Sequence, residues 1–167
     1  METGSVVIFG KEYQVVARKA KYEKVVRSRK KIYVYYKCSQ DPEKLLDRYL
    51  RSLLYRYTLT VLEHLGKRGY LNGALKIKVV NDVTKAHTVL ARIRGNFVEI
   101  SAYLVQFPKQ IIRYVLVHEL AHLFVRKHTE KFHTILNTLL PDAKKIEEKF
   151  PEYMSIIQSN YRTLGGW

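Results

Sequence analysis

The chain has 167 residues, and its 30 Lys and Arg against 15 Asp and Glu give a formal net charge of +15 at pH 7. This length predicts a single domain over residues 1–167 with a sizeable core, and the lack of any long uncharged apolar run excludes a membrane span. The excess of cations favours an acidic partner, such as a nucleic acid, or an acidic substrate.

The single cysteine and the N-terminus bear on the cellular compartment. Cys38 cannot form an internal disulfide, and the first residues lack the basic region and apolar stretch of a secretory signal. We therefore expect a cytoplasmic protein in which Cys38 is an ordinary thiol at the end of a strand.

Residues 1–40 predict a basic, β-rich segment. Alternating apolar residues indicate strands at residues 5–9 and 12–17 around a tight turn at Gly10-Lys11, and another strand at residues 31–37. The residues between the strands predicted at 12–17 and 31–37 are expected to form a basic connecting segment.

The densest group of cations in the chain lies between Arg18 and Lys31. Its simpler interpretation is a solvated basic face, and the alternative is a patch that contacts the phosphates of a nucleic acid. The tyrosines that follow could stack on bases, although their alternation with apolar residues is more typical of a strand. The cations predicted for a phosphate-contacting patch are Arg27, Arg29, Lys30 and Lys31.

The middle of the chain predicts one long helix followed by strands. Asp41 and Pro42 are typical of a helix start and Gly66 is expected to end it, which gives a helix over residues 41–66. The hairpin that ends the strand region either borders a substrate cleft, where an exposed edge could pair with an extended peptide, or is a plain hairpin. The strands predicted within residues 74–101 are 74–80, 88–94 and 97–101, with the hairpin turn at 94–96.

The segment that carries the chemistry is His118-Glu119-Leu120-Ala121-His122. It lies within an apolar run from Pro108 to Phe124 that covers all sides of a helical wheel, which predicts a buried helix. Two imidazoles and a carboxylate are costly inside such a helix unless something compensates them. Histidines four residues apart share one helix face and can bind one ion, with the glutamate as the general base of a zinc hydrolase.

His128 is the candidate for a third ligand. It follows His122 by six residues, where the apolar pattern ends, and catalytic zinc takes three protein ligands and keeps one position for water. Two other interpretations are a buried helix whose histidines bond only to protein groups, and a structural metal site. A buried helix without a metal must satisfy three polar groups by hydrogen bonds to protein groups alone. A structural metal site gives Glu119 no chemical role.

The residues after His128 predict further helices, so that the metal-site helices span residues 108–162. Thr129 is a candidate N-cap, and Leu140-Pro141-Asp142 would end that helix and cap a short one through Glu148. Pro151 would then start a last amphipathic helix.

Three stretches resemble the YgjP-like metallopeptidase family: YVLVHELAHL at residues 114–123, HTEKF at 128–132 and LPD at 140–142. The resemblance implies an α+β, zincin-like fold, in which a small antiparallel or mixed sheet packs on a buried HExxH helix with further C-terminal helices. It also implies a zinc-dependent peptidase that acts on a peptide or protein. The implied ligands of one Zn²⁺ ion are His118, His122 and His128, and the implied catalytic residue is Glu119.

Three positions depart from the family pattern. His133 stands where the family has a tryptophan, residues 86–91 lack the family's tryptophan and cysteine before the hairpin, and the N-terminal third follows the pattern poorly. His133 could line the cleft as a proton donor, although a packed helix histidine is the simpler interpretation. Asp142 and Glu130 are candidates to hold the second nitrogen of a ligand imidazole.

Two alternative functions remain open at this point. One is a nucleic-acid-associated protease of the SprT-like kind that acts on DNA-bound proteins, which the net charge favours. The other is a non-enzymatic, basic nucleic-acid-binding domain with a vestigial metal site, which the intact Glu119 disfavours.

Overall fold

The computed structural model describes residues 4–71, 73–81 and 89–161, with side chains up to Ser155. Within these ranges the chain has the predicted α+β composition, with two small mixed sheets and four α-helices. The strands are β1 (Ser5–Ile8), β2 (Lys11–Lys19), β3 (Lys24–Ser28), β4 (Lys31–Tyr36), β5 (Lys76–Val80), β6 (Ala91–Arg94) and β7 (Phe97–Ser101). The helices are α1 (Pro42–Lys67), α2 (Lys109–Ala121), α3 (Glu130–Leu139) and α4 (Ala143–Tyr161), and a 3₁₀ turn at Ala102–Gln106 precedes α2.

The first sheet has the strand order β1-β2-β4-β3, with β2 and β4 parallel and the other two pairs antiparallel. Alternate residues of a strand share one face, and on the core face Ile32 and Val34 are almost fully buried. The cation-rich segment was not predicted as a strand, but it forms β3 and pairs with β4 around a turn at Arg29. Val25 and Val26 are β-branched residues of the kind favoured in strands. The cations on both sides of them interrupt the alternation of apolar and polar residues that would predict a strand.

The second sheet has the strand order β5-β7-β6, with β5 and β7 parallel and β6 and β7 antiparallel. The predicted hairpin is confirmed, because Arg94 pairs with Phe97. Gly95 between them has a φ of 56°, which glycine adopts without steric cost. β6 begins at Ala91, and the start of the strand predicted at residues 88–94 lies partly outside the described residues.

The long helix α1 begins as predicted and ends differently. The Oδ1 atom of Asp41 accepts a hydrogen bond of 2.9 Å from the amide of Glu43, which caps the helix start. The prediction that Gly66 ends the helix is wrong, because α1 continues one residue past it. Gly69 has a left-handed backbone conformation, with a φ of 78°. The amides of Gly69 and of the next residue donate back to carbonyls in the last turn of α1, which ends the helix.

The helix α2 is the buried central helix that the apolar run predicts. Ile112 is fully buried, and the hydroxyl of Tyr57 on α1 donates to the carbonyl of Lys109 at the start of α2 over 2.9 Å. The apolar run continues past the end of the helix, and there the expectation of burial is wrong: Leu123 and Phe124 are 54% and 56% exposed. The histidine motif therefore closes α2 rather than lying in its middle.

The C-terminal residues form one helix, contrary to the prediction that Pro151 starts a new one. Pro151 lies inside α4, and it lacks the N–H that would bind the carbonyl of Glu147. Both residues are exposed, so water can satisfy the carbonyl that the proline leaves free.

Two further features concern the surface. Cys38 is an exposed free thiol shortly after β4. Among the described residues, no helix combines the length and the apolar character needed to cross a bilayer.

Candidate metal centre

The last turn of α2 places the first two imidazoles side by side. His118 and His122 are four residues apart and so lie one turn apart on the same face, with their ring centroids 4.9 Å from each other. His122 is the C-cap of α2, and its amide donates to the carbonyl of His118 over 3.3 Å. This half of the site follows directly from the spacing in the sequence.

The turn after α2 returns the chain, so that His128 faces the same point. The amides of Leu123 and Phe124 donate back to the last turn of the helix over 3.0 and 3.1 Å. The ring centroid of His128 then lies 5.0 Å from that of His118 and 4.7 Å from that of His122. The Nε2 atoms of His118 and His128 are 3.0 Å apart.

The three imidazoles form a donor set that fits a divalent cation. One ring nitrogen of each histidine lies within 4.8 Å of the other two. Zinc–nitrogen bonds of about 2.0–2.1 Å hold ligand nitrogens roughly 3–4 Å apart, so the cluster needs little adjustment to bind zinc. Imidazole ligands also suit copper, iron and nickel, so the donor set fits a transition metal rather than calcium or magnesium.

Hydrogen bonding determines which nitrogen of His122 is available to a metal. The Nδ1 atom of His122 lies 3.2 Å from the carbonyl oxygen of Val125. A carbonyl can only accept, so Nδ1 carries the hydrogen and Nε2 keeps a free lone pair. The Nδ1 atom of His118 is buried and has no hydrogen-bond partner among the described residues. The Nδ1 side of the His118 ring is therefore held by packing, while its Nε2 atom contacts His128.

Burial changes the acid–base properties of the site. The pKa of His118 falls to about 4, mainly because burial disfavours the imidazolium, and also because His122, His128 and His133 lie near it. His118 is thus neutral at pH 7, which is the form that binds a metal. Burial raises the pKa of Glu119 to about 7, so this carboxyl can exchange a proton near neutral pH.

A buried phenylalanine contacts all three imidazoles. Phe132 in the first turn of α3 is fully buried, and its ring centroid lies 5.0, 4.6 and 4.7 Å from those of His118, His122 and His128. No role at the site was predicted for Phe132 from the sequence. Its place in the HTEKF stretch, four residues after His128, is the signal in the sequence that points to it.

The remaining residues predicted near the metal lie on α3 and at the start of α4. His133 is half-buried, and its ring centroid is 5.6 Å from that of Phe132. Glu130 is exposed in the first turn of α3, and the exposed carboxylate of Asp142 lies 3.6 Å from the Nζ atom of Lys145. A role in holding a ligand imidazole stays a prediction for these acidic residues, as a cleft role does for His133.

The cations predicted for nucleic acid lie in another part of the fold. All four are exposed on the β3–β4 hairpin, whereas the histidine cluster is built from α2 and the segment before α3. The guanidinium of Arg27 packs over the ring of Tyr13, 5.7 Å from its centroid. The four residues are Arg27, Arg29, Lys30 and Lys31.

Comparisons with known proteins agree with a metallopeptidase. The model of the YgjP-like metallopeptidase domain matches residues 1–153. The match includes the N-terminal third, so this third is part of the family domain. How closely it follows the family pattern stays a prediction.

One solved structure, described as the metallopeptidase zymogen of Pyrococcus abyssi abylysin, is similar with a TM-score of 0.43 and 20% identity. The similarity covers 64% of this chain and 95% of that chain. No curated protein matches the chain. Because the family model spans most of its length, the chain belongs to the YgjP-like metallopeptidase domain family.

Proposed function

We propose that the protein is a zinc-dependent peptidase that hydrolyses amide bonds in a peptide or protein substrate. The proposal is supported by membership of a metallopeptidase family and by three ring nitrogens within 4.8 Å of one another. The histidine cluster carries the proposal, because three imidazoles that converge on one point are the ligand set of a catalytic zinc ion, and the exposed His128 leaves the site open to solvent.

Each residue of the cluster has a role in this proposal. His118, His122 and His128 would hold one Zn²⁺ ion, which supplies Lewis acidity toward the scissile carbonyl and toward a water molecule. Glu119 would take a proton from that water and pass it to the leaving amine. Burial alone raises the pKa of Glu119 to about 7. A bound Zn²⁺ would favour the carboxylate form, which is the form that accepts a proton from water.

The edge of the second sheet is the proposed binding site for an extended substrate. β6 packs against α2 and, among the described residues, is an edge strand of its sheet. The amide of Ser101 donates to the carbonyl of Leu90 over 2.8 Å, and bonded pairs alternate along an antiparallel ladder. The backbone groups of Ala91 and Ile93 therefore point away from β7. Ala91 is buried, so the backbone of the half-buried Ile93 is the part of this edge that could pair with a peptide.

The two nucleic-acid alternatives remain predictions. Membership of a metallopeptidase family favours a peptidase over a non-enzymatic domain. A peptidase associated with nucleic acid requires a binding surface in addition to the metal centre.

The experiment that tests the proposal is digestion of casein and of a fluorogenic peptide library, with and without a chelator. We expect cleavage that the chelator abolishes and that added zinc restores. The Glu119→Gln variant should keep its fold and its zinc but lose roughly 100- to 10,000-fold in activity, because it cannot act as a base.

The matched control is Glu63→Gln, which changes an exposed glutamate on α1 and should leave cleavage unchanged. Cleavage by Glu119→Gln at the wild-type rate would remove Glu119 from the mechanism. Cleavage that the chelator does not affect would contradict a metallopeptidase.

A further inference from the structure

The solvent-facing side of the first sheet carries a set of aromatic and basic side chains that the peptidase proposal does not use. Strand register divides the sheet into two faces, because partner residues on neighbouring strands point to the same side. Val15 and Val25 pair with Ile32 and Val34 on the core face. The intervening residues, including Tyr33 and Tyr35 on β4, consequently form the opposite face.

Rings on this opposite face make a continuous row. The rings of Tyr33 and Tyr35 are stacked with an interplanar angle of 22° and centroids 6.4 Å apart. Tyr22, which is 54% exposed, extends the row with its centroid 5.7 Å from that of Tyr35. The guanidinium of Arg18 lies over the ring of Tyr33 at 5.1 Å. We call these four residues the tyrosine face.

The charge around the tyrosine face is almost entirely positive. From Arg18 to Lys31 the chain carries eight Lys and Arg residues and one acidic residue, Glu23. The register places Lys24 opposite Tyr35 and Lys31 opposite Gln14, so both lysines border the face. A polyanion would therefore meet several cations at the same time as the rings.

We propose that the tyrosine face binds single-stranded nucleic acid, with bases stacked on the tyrosines and phosphates bound by the surrounding cations. Surfaces that bind single strands combine aromatic rings with a basic track, and a sheet that displays such rings is one of the ways in which proteins bind unpaired bases. A duplex fits this face poorly, because its bases already stack on one another.

The structure also revises which residues would make these contacts. Arg27 pairs with Ile32 and so points to the core face of the sheet, where its guanidinium covers Tyr13. Tyr36 packs against the core as well. The proposed contacts accordingly keep Lys31 from the cations predicted from the sequence, leave out Arg27, and add Arg18 and Lys24.

The test is the fluorescence anisotropy of a labelled 15-nucleotide oligothymidylate titrated with the full chain at 50 mM salt. We expect a dissociation constant of roughly 1–100 µM that weakens with salt by about 0.7 log units per log unit for each phosphate bound. Tyr35→Leu, which keeps apolar bulk but removes the ring, should weaken binding roughly 5- to 150-fold. Tyr35→Phe should bind like the wild type.

Matched controls separate stacking from charge and from folding. Tyr55→Leu removes an exposed tyrosine on α1, and Lys149→Gln removes an exposed lysine on α4. Both variants should bind the oligonucleotide with an affinity within about twofold of the wild type. Circular dichroism reports whether Tyr35→Leu has folded, and Arg18→Gln is a second variant that leaves the strand intact. Glu119→Gln should bind as the wild type does, so a failed peptidase assay does not affect this test.

Three results would overturn the proposal. The first is no binding at 50 mM salt. The second is binding that Tyr35→Leu and Arg18→Gln do not weaken, since that indicates a merely cationic surface. The third is displacement of the oligonucleotide by polyglutamate as readily as by unlabelled oligothymidylate, which would point to an acidic protein partner instead.

Discussion

The Nε2 atoms of His118 and His128 lie 3.0 Å apart, although ten residues separate them in the chain. Two ring nitrogens can approach so closely only if one of them carries a hydrogen or if both direct their lone pairs at a cation. His118 remains neutral at pH 7, because burial lowers its pKa to about 4. The metal-binding interpretation explains the contact together with the position of His122.

The first prediction concerns the phenylalanine that contacts the three imidazoles. Phe132→Leu should weaken zinc binding by about tenfold or more, because the rings lose the wall that orients them. Competition with a chromophoric chelator measures this affinity. Phe132→Ala is a harsher change, with a stability cost of about 3–5 kcal/mol.

The control for this prediction is Phe107→Leu. Phe107 is also buried and packs edge-on against Tyr153, with centroids 5.7 Å apart, but it does not contact the imidazoles. Its replacement should lower stability while zinc affinity stays the same. Equal zinc affinity in the wild type and in Phe132→Leu would show that the ring does not organise the site.

The second prediction concerns the proposed substrate edge on β6. Ile93→Pro removes an N–H that points away from β7, so the hydrogen bonds between β6 and β7 should remain. Edge strands tolerate proline for this reason. We expect a clear rise in KM for an extended peptide, because one backbone hydrogen bond to the substrate is lost. Steady-state kinetics on a fluorogenic peptide provide the measurement.

Ile93→Ala is the matched variant, because it removes the partly buried side chain of Ile93 but keeps its N–H. If Ile93→Ala and Ile93→Pro raise KM equally, the effect arises from packing and the edge does not bind substrate.

The third prediction concerns the pH dependence of the hairpin's stability. On opposite strands, the Nε atom of Arg92 lies 2.5 Å from Oε2 of Glu99. This hydrogen bond and the nearby cations hold the pKa of Glu99 below its ordinary value of 4.5. A carboxyl with a depressed folded-state pKa stabilises the fold above about pH 4.5, and this stabilisation is lost as the pH falls through the folded-state pKa.

Urea unfolding at pH 7 and at pH 3 checks this expectation. Glu99→Gln should unfold at a lower urea concentration than the wild type at pH 7, and the difference should shrink at pH 3. The surface control Glu63→Gln should match the wild type at both values. If Glu99→Gln lowers the urea midpoint of unfolding as much at pH 3 as at pH 7, the charge of Glu99 does not contribute to the stability of the fold.

The convergence of the three imidazoles was predictable from the sequence because its geometry is mostly local. The spacing of His118 and His122 fixes their common helix face, and His128 follows after a short turn. The contact of Phe132 with all three rings was not predictable, because it depends on how α3 docks against α2. The exposure of Leu123 and Phe124 has a similar origin, since the helix ends while the apolar sequence continues.

The sheets were predictable only in part. The β6–β7 hairpin has a two-residue loop with glycine, which is a local signal. The parallel pairing of β2 with β4 joins segments separated in the chain, and no local pattern reveals it. β3 was missed because its two valines are flanked by cations, so that its stability depends on pairing with β4. The helix tolerates Pro151, because the carbonyl that the proline leaves free is exposed to water.

The most direct test of the metal centre is the zinc content of the purified protein after dialysis, measured by mass spectrometry. We predict one zinc ion per chain in the wild type and in His64→Ala, which changes an exposed histidine on α1. His128→Ala should retain far less, because only two imidazoles remain to bind the ion. A wild-type protein without stoichiometric metal, or a His128→Ala variant that keeps all of it, would contradict the proposed site.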